Sequence, residues 1–323
     1  MSLANALVAI DEDMEVLVNG QAQDAAMDLF NTRGFHDLHR GATTRSYYFV
    51  LRHRRTGEFL AAVHFHEAGA GHLESPWRGS FGGFATIPAA GLSLPKREGF
   101  VSCVQSFLRN EGIERLTIVF PPLAYHPEDT SVWIDVLLRA GFAMSRHELS
   151  YAIAVDGQFA DRIDSGNRKR LRKCVRDGFV GARLDHSEYE DAFQVIAENR
   201  QRKGYSLSMS WPAVRDMCQR LPDQVLFFGV RRDAALVAAA VCLRINPRAI
   251  FVVYWGELAG VEAWSPVTLL ASHIYDYCGP QGITLLDIGT ANIRGVPNYG
   301  LIRYKTNLGC TATLKLTLAK VLS

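Results

Sequence analysis

The sequence predicts an α+β protein in which two mixed α/β sheets, each flanked by helices, follow one another along the chain. The chain has 323 residues, and because a typical domain has about 150 residues, two domains are expected. One order of elements is predicted twice: three strands, a helix, a strand, a helix and a strand. We therefore predict a first domain at 1–160 and a second at 161–323, divided within the polar stretch 156–166.

The first copy follows a predicted N-terminal helix with Ala22, Ala25, Ala26 and Leu29 on one face. Alternating or short apolar runs predict strands, and apolar residues three and four positions apart predict helices. The elements are two strands within 46–66 joined by a turn at 55–57, an extended region at 73–87, a helix around 100–108, a strand at 115–120, a helix around 132–140 and a strand at 149–155. Gly141 ends the second helix.

The second copy shows the same pattern after three additional helices, predicted at 167–178, 188–202 and 211–221. Its own elements are strands at 224–230, 235–245 and 249–256, a helix at 267–278, a strand at 283–288, a helix at 297–308 and a strand at 312–318. Gly309 ends its last helix, as Gly141 does in the first copy.

The composition is that of a globular protein, with 48% hydrophobic and 21% charged residues and a net charge of +2. This excludes disorder, collagen and coiled coil. No uncharged apolar run reaches the roughly 18 residues that span a bilayer, and no signal-peptide core develops at the N-terminus. We therefore expect a soluble, cytoplasmic protein without a membrane span, in which anion binding depends on a local patch of charge.

Cysteine and histidine give no metal-binding pattern. The six cysteines include no C-x-x-C pair, which predicts free thiols in a reducing compartment. His64 and His66 alternate on a predicted strand, but a third ligand is missing, so no metal site is expected.

Several short strings carry a family resemblance. They are NRKRLRKCVRDG at 167–178, WSPVTLL at 264–270, LDIGTA at 286–291 and GLIRYKTNLG at 300–309, with SPWRGSFGGF at 75–84 in the first half. Together with the repeated order of elements, they resemble the FemABX-type, or FemAB-like, transferases, which contain tandem GNAT-like domains. The resemblance covers about 160–319 well, and the first half mainly by topology.

The resemblance implies a tandem duplication of the GNAT-like acyl-CoA N-acyltransferase fold. It implies an N-acyltransferase that moves an acyl or aminoacyl group to a primary amine by direct attack, without a covalent enzyme intermediate. The donor would be a thioester, as acyl-CoA or on an acyl carrier protein, or an aminoacyl-tRNA. The acceptor would be a small molecule or a cell-envelope precursor, and no cofactor would be bound permanently.

The sequence departs from ordinary GNAT enzymes at one motif. Their pyrophosphate loop, Q/R-x-x-G-x-G/A, would fall between the strand that ends at Gly256 and the helix that starts near Ser265. This chain has ELAGVEAWSP at 257–266 instead.

Three residues near the predicted cleft are candidates for catalysis. Asp287, at the end of a strand, could accept the proton of the amine or orient it, and its alternative role is to cap Thr290 or pair with Arg294. Glu257, directly after an apolar strand, is the competing base, and Tyr254 could donate to the carbonyl oxygen of the donor.

A second group comprises candidates for substrate binding. Ser265 is predicted as the N-cap of a helix with Pro266 at its first position, so that Trp264 and Ser265 would lie where a helix N-terminus attracts an anion. Lys305 either complements the C-terminus of its helix or, as the resemblance implies, contacts a phosphate or carboxylate. Arg303, its neighbour, is a weaker candidate for the same role. Tyr299 and Tyr304 belong either to the core or to the cleft.

Two further features leave alternatives open. Trp77, Arg78 and Trp211 would line an acceptor pocket between the domains, or the tryptophans are core residues. The six cations within 168–176 form either a solvated face or a landing surface for tRNA, a nucleotide-linked precursor or an acidic carrier. Two alternative functions follow: a non-catalytic ligand-binding module of the same fold, and an RNA-binding protein that uses this basic helix.

Overall fold

The chain divides into two compact units. In the computed structural model, unit 1 consists of Met1–Leu149 and Thr313–Ser323, and unit 2 consists of Ser150–Ala312. The structure describes residues 6–9, 12–20, 27–39, 43, 45–87, 91–293 and 295–322.

Unit 1 contains a mixed sheet with the strand order β1-β2-β3-β4-β5-β7-β16. The strands are β1 (Ala6–Ala9), β2 (Met14–Val18), β3 (Ser46–His53), β4 (Phe59–Gly69), β5 (His72–Ser75), β6 (Ala85–Thr86), β7 (Arg115–Val119) and β16 (Thr311–Val321), with β6 paired to β4. Among the described strands of unit 1, β5 and β7 pair in parallel, with His72 opposite Arg115.

The helices of unit 1 cover this sheet and complete its core. They are α1 (Arg33–Leu38), α2 (Leu94–Asn110) and α3 (Pro127–Arg139). Trp133 of α3 is fully buried and stacks on Phe84, while Phe100 of α2 lies edge-on to Phe84. Leu318 of β16 belongs to the same core, so the C-terminal strand is an integral part of unit 1.

In unit 2 the strands follow the order β8-β13-β12-β11-β10-β9. The strands are β8 (Ala143–Ala154), β9 (Phe179–Arg183), β10 (Val225–Arg232), β11 (Ala235–Asn246), β12 (Ala249–Glu257) and β13 (Leu285–Thr290), and a separate hairpin is formed by β14 (Asn292–Ile293) and β15 (Val296–Pro297). Among these pairs β12 and β13 are parallel, as β5 and β7 are in unit 1.

Helices lie on both faces of the strands of unit 2. They are α4 (Phe159–Arg162), α5 (Ser165–Arg176), α6 (Tyr189–Arg202), α7 (Trp211–Arg220), α8 (Pro266–Cys278) and α9 (Tyr299–Asn307). Consecutive residues of a strand point to opposite faces. Phe227 stacks on Tyr189 of α6, whereas Phe228 contacts Tyr277 of α8. The α6 face and the α8 face are therefore opposite sides of this sheet.

The last strand of each copy pairs within the other unit. The second part of β8 pairs with β13 in unit 2, with Ile153 opposite Leu286, and β16 pairs with β7 in unit 1, with Leu318 opposite Ile118. This arrangement differs from the predicted domains, 1–160 and 161–323, in which each copy keeps its own final strand. The physical reason is burial, because Ile153 completes the core of unit 2 and Leu318 that of unit 1.

The predicted fold class and the repeated order of elements are confirmed. The helix ends are also confirmed, since Gly141 and Gly309 both have the positive φ that favours glycine after a helix. Strands β1, β2, β9, β14 and β15 were not predicted. In the predicted N-terminal helix, Ala22, Ala25 and Ala26 lie outside the described residues, and Leu29 instead starts a 3-10 turn.

Two further observations concern the described residues alone. None of their helices is long and apolar enough to cross a membrane. No group of three or more histidine, cysteine or acidic side chains among them is arranged to hold a metal ion, and all six cysteines are free thiols.

Candidate functional site

Strands β12 and β13 separate in the middle of unit 2 and leave a gap in the sheet. Their parallel register runs only from Ala249 opposite Leu285 to Phe251 opposite Asp287. Beyond that point β12 continues to Glu257 while β13 follows β8 instead. Backbone groups that line such a gap lack a partner strand and require other partners.

Lys305 supplies those partners on the β13 side. Its side chain is 3% exposed, and its ammonium group donates to the carbonyl oxygens of Ile288 at 2.6 Å, Gly289 at 2.8 Å and Thr290 at 2.8 Å. An ammonium group has three N–H donors, and all three are used. Burial lowers the pKa of Lys305 to about 8, and the charge of Asp287 acts in the opposite direction.

This geometry differs from both roles considered for Lys305. The lysine neither lies free at the end of its helix nor offers an N–H to a phosphate or carboxylate of a substrate. It holds one wall of the gap in shape.

Gly289 makes the three carbonyls converge. Successive carbonyls of a regular strand point in opposite directions, but the register between β13 and β8 shifts after Asp287, and Gly289 has φ +74°. The N–H of Gly289 donates to Asp287 Oδ1 at 2.7 Å, and the Ser150 hydroxyl donates to the same oxygen at 3.4 Å. Asp287 is 1% exposed, so its carboxylate stabilises this bulge and faces away from solvent.

Glu257 lies on the other wall of the gap, at the end of β12. The Val267 N–H, in the first turn of α8, acts to lower the pKa of this carboxylate. Its Oε2 is buried and has no hydrogen-bond partner in the part of the chain that the structure describes. Burial raises the pKa of Glu257, while Lys203 and the Val267 N–H act in the opposite direction. A carboxylate with a raised pKa and a free oxygen is suited to accept a proton.

The start of α8 places hydroxyl groups near Glu257. The helix begins at Pro266 as predicted, but Ser265 caps it in a left-handed conformation with φ +53°, and its side chain caps no helix N–H. Its hydroxyl lies 3.2 Å from that of Thr268. The Tyr304 hydroxyl is buried, and its burial and the charge of Glu257 raise the pKa of Tyr304. A non-glycine residue held in this backbone region is typical of functional sites.

Tyr254 and Trp255 follow a bulge in β12 and, as consecutive strand residues, point to opposite faces of the sheet. Val241 lies opposite Tyr254 and Cys242 opposite Val252, so Val253 is an additional residue. Trp255 contacts Tyr304 of α9 on the α8 face. Tyr254 instead turns to the α6 side, where its hydroxyl accepts the N–H of Ser208 at 3.1 Å and bonds to the hydroxyl of the same serine.

Arg200 of α6 covers Tyr254. Its guanidinium carbon lies 5.4 Å from the centre of the Tyr254 ring and 5.9 Å from that of Tyr205. No carboxylate pairs with it among the described residues, and burial lowers the pKa of Arg200. A half-buried guanidinium between two aromatic rings, without an acidic partner, can bind an anionic group of a ligand by donating hydrogen bonds to it.

Comparison with known proteins agrees with this fold. Residues 165–306 match the family model described as the Acetyltransferase (GNAT) domain. The structure of FemX has a TM-score of 0.69 to the chain with 11% identity, and the match covers 91% of this chain and 92% of that one. A tandem GNAT protein from the clavulanic acid biosynthesis pathway has a TM-score of 0.52 with 12% identity, over 88% and 86% of the two chains. The chain has the tandem GNAT fold.

Another similar structure also matches over nearly the whole chain. The C-terminal domain of a putative lysylphosphatidylglycerol synthetase from Agrobacterium fabrum has a TM-score of 0.57 with 13% identity, over 92% of this chain and 89% of that chain. No curated protein sequence matches the chain. The predicted resemblance to the FemABX-type tandem GNAT proteins is confirmed at the level of fold.

Within this tandem GNAT fold, the candidate residues fall into separate places. Asp287, Glu257, Lys305, Ser265 and Tyr304 surround the gap on the α8 face or in its walls, and Tyr254 lies on the α6 face. Tyr299 is 80% exposed at the start of α9, and Arg303 is exposed on the same helix.

The three tryptophans that the sequence analysis proposed for substrate binding contact other side chains of the protein. Trp77 lies in unit 1, stacked on His66 with the Arg78 guanidinium carbon 4.2 Å from its ring centre. Trp211 starts α7 and packs on Phe193, with a buried indole N–H that has no partner among the described residues. Trp264 donates its indole N–H to Asp177 at 2.8 Å.

Three residues that the sequence analysis did not single out contribute to the site. Arg200 lies within a helix of ordinary amphipathic pattern, and only its spacing of seven residues from Phe193 placed it on the buried face. Thr268 lies inside the quoted string WSPVTLL. Gly289 lies in LDIGTA, where an isolated glycine at the end of a strand was a signal for a bulge.

Proposed function

We propose that the chain is an N-acyltransferase that works in the gap between β12 and β13. The acyl carbonyl of an activated donor enters the gap from the α8 face, and a primary amine approaches from the α6 face. Attack is direct, and a tetrahedral oxyanion collapses with loss of the donor's thiol or hydroxyl. Backbone groups of the open edge of β12 are suited to stabilise that oxyanion.

The free oxygen of Glu257 is the observation that carries this proposal. The attacking amine must lose a proton, and the base must have a lone pair directed at the gap and a pKa above that of an exposed carboxyl. Glu257 Oε2 is buried at the end of β12 without a partner among the described residues, and burial raises the pKa of this carboxyl, so it is suited to this role. Asp287 is less suited, because its Oδ1 accepts two hydrogen bonds within the bulge.

The α6 face supports binding of the acceptor. Tyr254, held by its hydrogen bond to Ser208, would contact the acceptor on this face. Arg200, which lies over the Tyr254 ring, offers a positive charge that no acidic side chain among the described residues neutralises. We infer an acceptor that carries an anionic group, such as a carboxylate or a phosphate, near its amine. Small molecules and cell-envelope precursors both include such compounds.

The test is acyl transfer from a small thioester, acetyl-N-acetylcysteamine, to a panel of amines with and without an anionic group, followed by release of the free thiol. We expect turnover that falls by about 10² to 10⁴ in Glu257→Gln, the range for loss of a general base. Glu262→Gln, which neutralises a neighbouring exposed acid, is the matched control. Equal activity of wild type and Glu257→Gln would exclude the proposed base.

The absent phosphate loop favours a second candidate, a non-catalytic binding module of the same fold. Glu262 of the replacing segment pairs with Arg202 instead of leaving room for a phosphate. Binding of anionic amines that depends on Arg200, without turnover of any thioester or aminoacyl ester, would favour this module over the enzyme.

A further inference from the structure

The basic helix α5 lies directly against the segment that leads into α8. Lys173 Nζ lies 3.4 Å from the carbonyl oxygen of Ala263, and Cys174 Sγ lies 3.2 Å from that of Trp264. The charge of Arg170 also acts on Tyr304, one of the residues around the gap. A group bound at α5 would therefore lie beside the start of α8, where a donor enters.

The usual place for the phosphates of a GNAT donor is occupied by this chain's own acids. The Val267 N–H acts to lower the pKa of Glu257, so this carboxylate lies near the N-terminus of α8. In the replacing segment, Glu262 accepts the N–H of Gly260 at 2.8 Å and pairs with Arg202. An anionic phosphate at this position would be repelled by two carboxylates.

Helix α5 concentrates the positive charge of the chain. Residues 165–178 contain six lysines and arginines and one acid, Asp177, whereas the net charge of all 323 residues is +2. Both Asp177 oxygens are engaged, one by Arg176 and the other by the Trp264 indole N–H, each at 2.8 Å. Lys169 and Arg172 are exposed and have no acidic partner among the described residues.

Trp264 arranges two further cations at the edge of this helix. Lys173 Nζ lies 4.5 Å from its ring centre, and the guanidinium carbon of Arg232 lies 4.8 Å from it. With Asp177 fixing the indole N–H, the ring holds both cations close together. Because cations already occupy the ring, Trp264 is not suited to stack a nucleic-acid base, so recognition at this place is of phosphate rather than of base.

We propose that α5, with Trp264 and Arg232, binds the phosphate groups of the acyl donor in place of the missing loop. The phosphate-binding residues are Lys169, Arg172, Lys173 and Arg232. This inference rests on the proposed acyltransferase function, and it identifies the donor as a phosphorylated carrier. Two sources share that chemistry, the nucleotide part of acyl-CoA and the 3′ end of an aminoacyl-tRNA.

The experiment compares three probes by calorimetric titration: inorganic pyrophosphate, CoA and an RNA minihelix that ends in CCA. Lys169→Ser/Arg172→Ser is the test variant, and Arg215→Ser/Arg248→Ser removes the same charge elsewhere in unit 2. We expect the test variant to bind the best probe about ten-fold more weakly, the combined effect of two exposed charge contacts. The control variant should bind like wild type.

The probes also identify the source. If RNA binds best, log Kd should change with log salt by about 0.7 to 0.9 per phosphate contact, and the test variant should reduce this slope by one to two. If CoA binds best, pyrophosphate should compete with it. Binding of none of the probes, or equal weakening in both variants, would overturn the inference.

Turnover of acetyl-N-acetylcysteamine, which has no phosphate, separates this inference from the proposed function. The effect of the test variant on turnover should be smaller with that donor than with a donor that carries the phosphate groups. Turnover without any effect of α5 on phosphate binding would overturn the inference and leave the acyltransferase standing. Phosphate binding that depends on α5, without turnover, would overturn the proposed acyltransferase function and leave the phosphate-binding surface standing.

Discussion

The ammonium group of Lys305 donates to the carbonyl oxygen of Gly289 across 2.8 Å, and the positive φ of Gly289 turns that carbonyl toward the lysine. The two residues are 16 positions apart and belong to α9 and β13. Together they fix the wall of the gap between β12 and β13, so each of them offers a test of how the gap is maintained.

Lys305→Met should destabilise unit 2. It leaves up to three carbonyls without a donor, and an unsatisfied buried acceptor costs about 1–3 kcal/mol, so we expect a loss of about 3–5 kcal/mol in the free energy of unfolding. Urea unfolding measures it. Arg303→Met changes an exposed cation of the same helix and should stay within about 0.5 kcal/mol of wild type. An equally small effect of Lys305→Met would contradict the bonding described above.

Gly289→Ala should loosen the same wall from the strand side. A side chain at φ +74° costs about 1–2 kcal/mol, and a return to an extended conformation would take one carbonyl away from Lys305. We expect lower stability together with lower acyl transfer. Gly279→Ala is the control, because Gly279 has an ordinary helical φ and open space around it. A wild-type melting temperature in Gly289→Ala would contradict this prediction.

The pH dependence of acyl transfer should report Glu257. Burial raises the pKa of this carboxyl above its ordinary value, and only the deprotonated form accepts the proton of the amine. Activity should therefore fall as the pH drops through that raised pKa, at a higher pH than for an exposed glutamate. The residual activity of Glu257→Gln, followed as kcat/KM from about pH 5 to 8, should not show this acidic limb, the fall of activity toward low pH. A limb that persists in the variant would assign the base to another group.

Arg200→Met should separate binding from folding. The wild-type guanidinium is desolvated without an acidic partner among the described residues, so its removal should leave the free energy of unfolding unchanged or higher. The KM for an anionic amine should rise, while a neutral amine should be affected little. Arg215→Met, an exposed position on α7, is the control for both measurements. A clear loss of stability in Arg200→Met would indicate a structural role instead.

Acid should destabilise unit 1 through His64 and His66. Both are buried; burial and the nearby His36 lower the pKa of His64 well below its usual range and that of His66 to about 3. Because the unfolded chain binds protons near pH 6.5 and the folded chain does not, stability is complete above that pH. It falls by about 1.4 kcal/mol per pH unit per histidine as the pH drops further toward 3.

The measurement is urea unfolding at several pH values between about 7.5 and 4.5. His66→Gln, whose amide can replace the donor to His36, should show a shallower loss of stability on acidification than wild type. His147→Gln, at an exposed position of β8, should behave as wild type. An unchanged slope in His66→Gln would show that His66 becomes protonated without opening the fold.

Local patterns in the sequence determined the repeated order of elements. Apolar periodicity located the strands and helices of both copies, and Gly141 and Gly309 marked two helix ends, because these features depend on residues a few positions apart. The short strands β9, β14 and β15 escaped, since five residues or fewer carry too little periodicity. The sequence analysis proposed Lys305, Glu257 and Ser265 for one predicted cleft, from their places at the ends of elements and from the family resemblance, and this assignment stays a prediction.

The tertiary structure decided what these residues do. Lys305 is satisfied by three carbonyls because β13 leaves β12 and bulges at Gly289, and pairing between strands far apart in the sequence is invisible to local pattern. Local pattern also does not show that β8 pairs with β13 and β16 with β7, because these pairs join strands far apart in the sequence. Arg200 appeared as an ordinary helix cation until Tyr254 and Tyr205 were placed beside it. Sequence periodicity thus determines which residues form elements, and only packing determines which polar groups remain without partners and are available for chemistry.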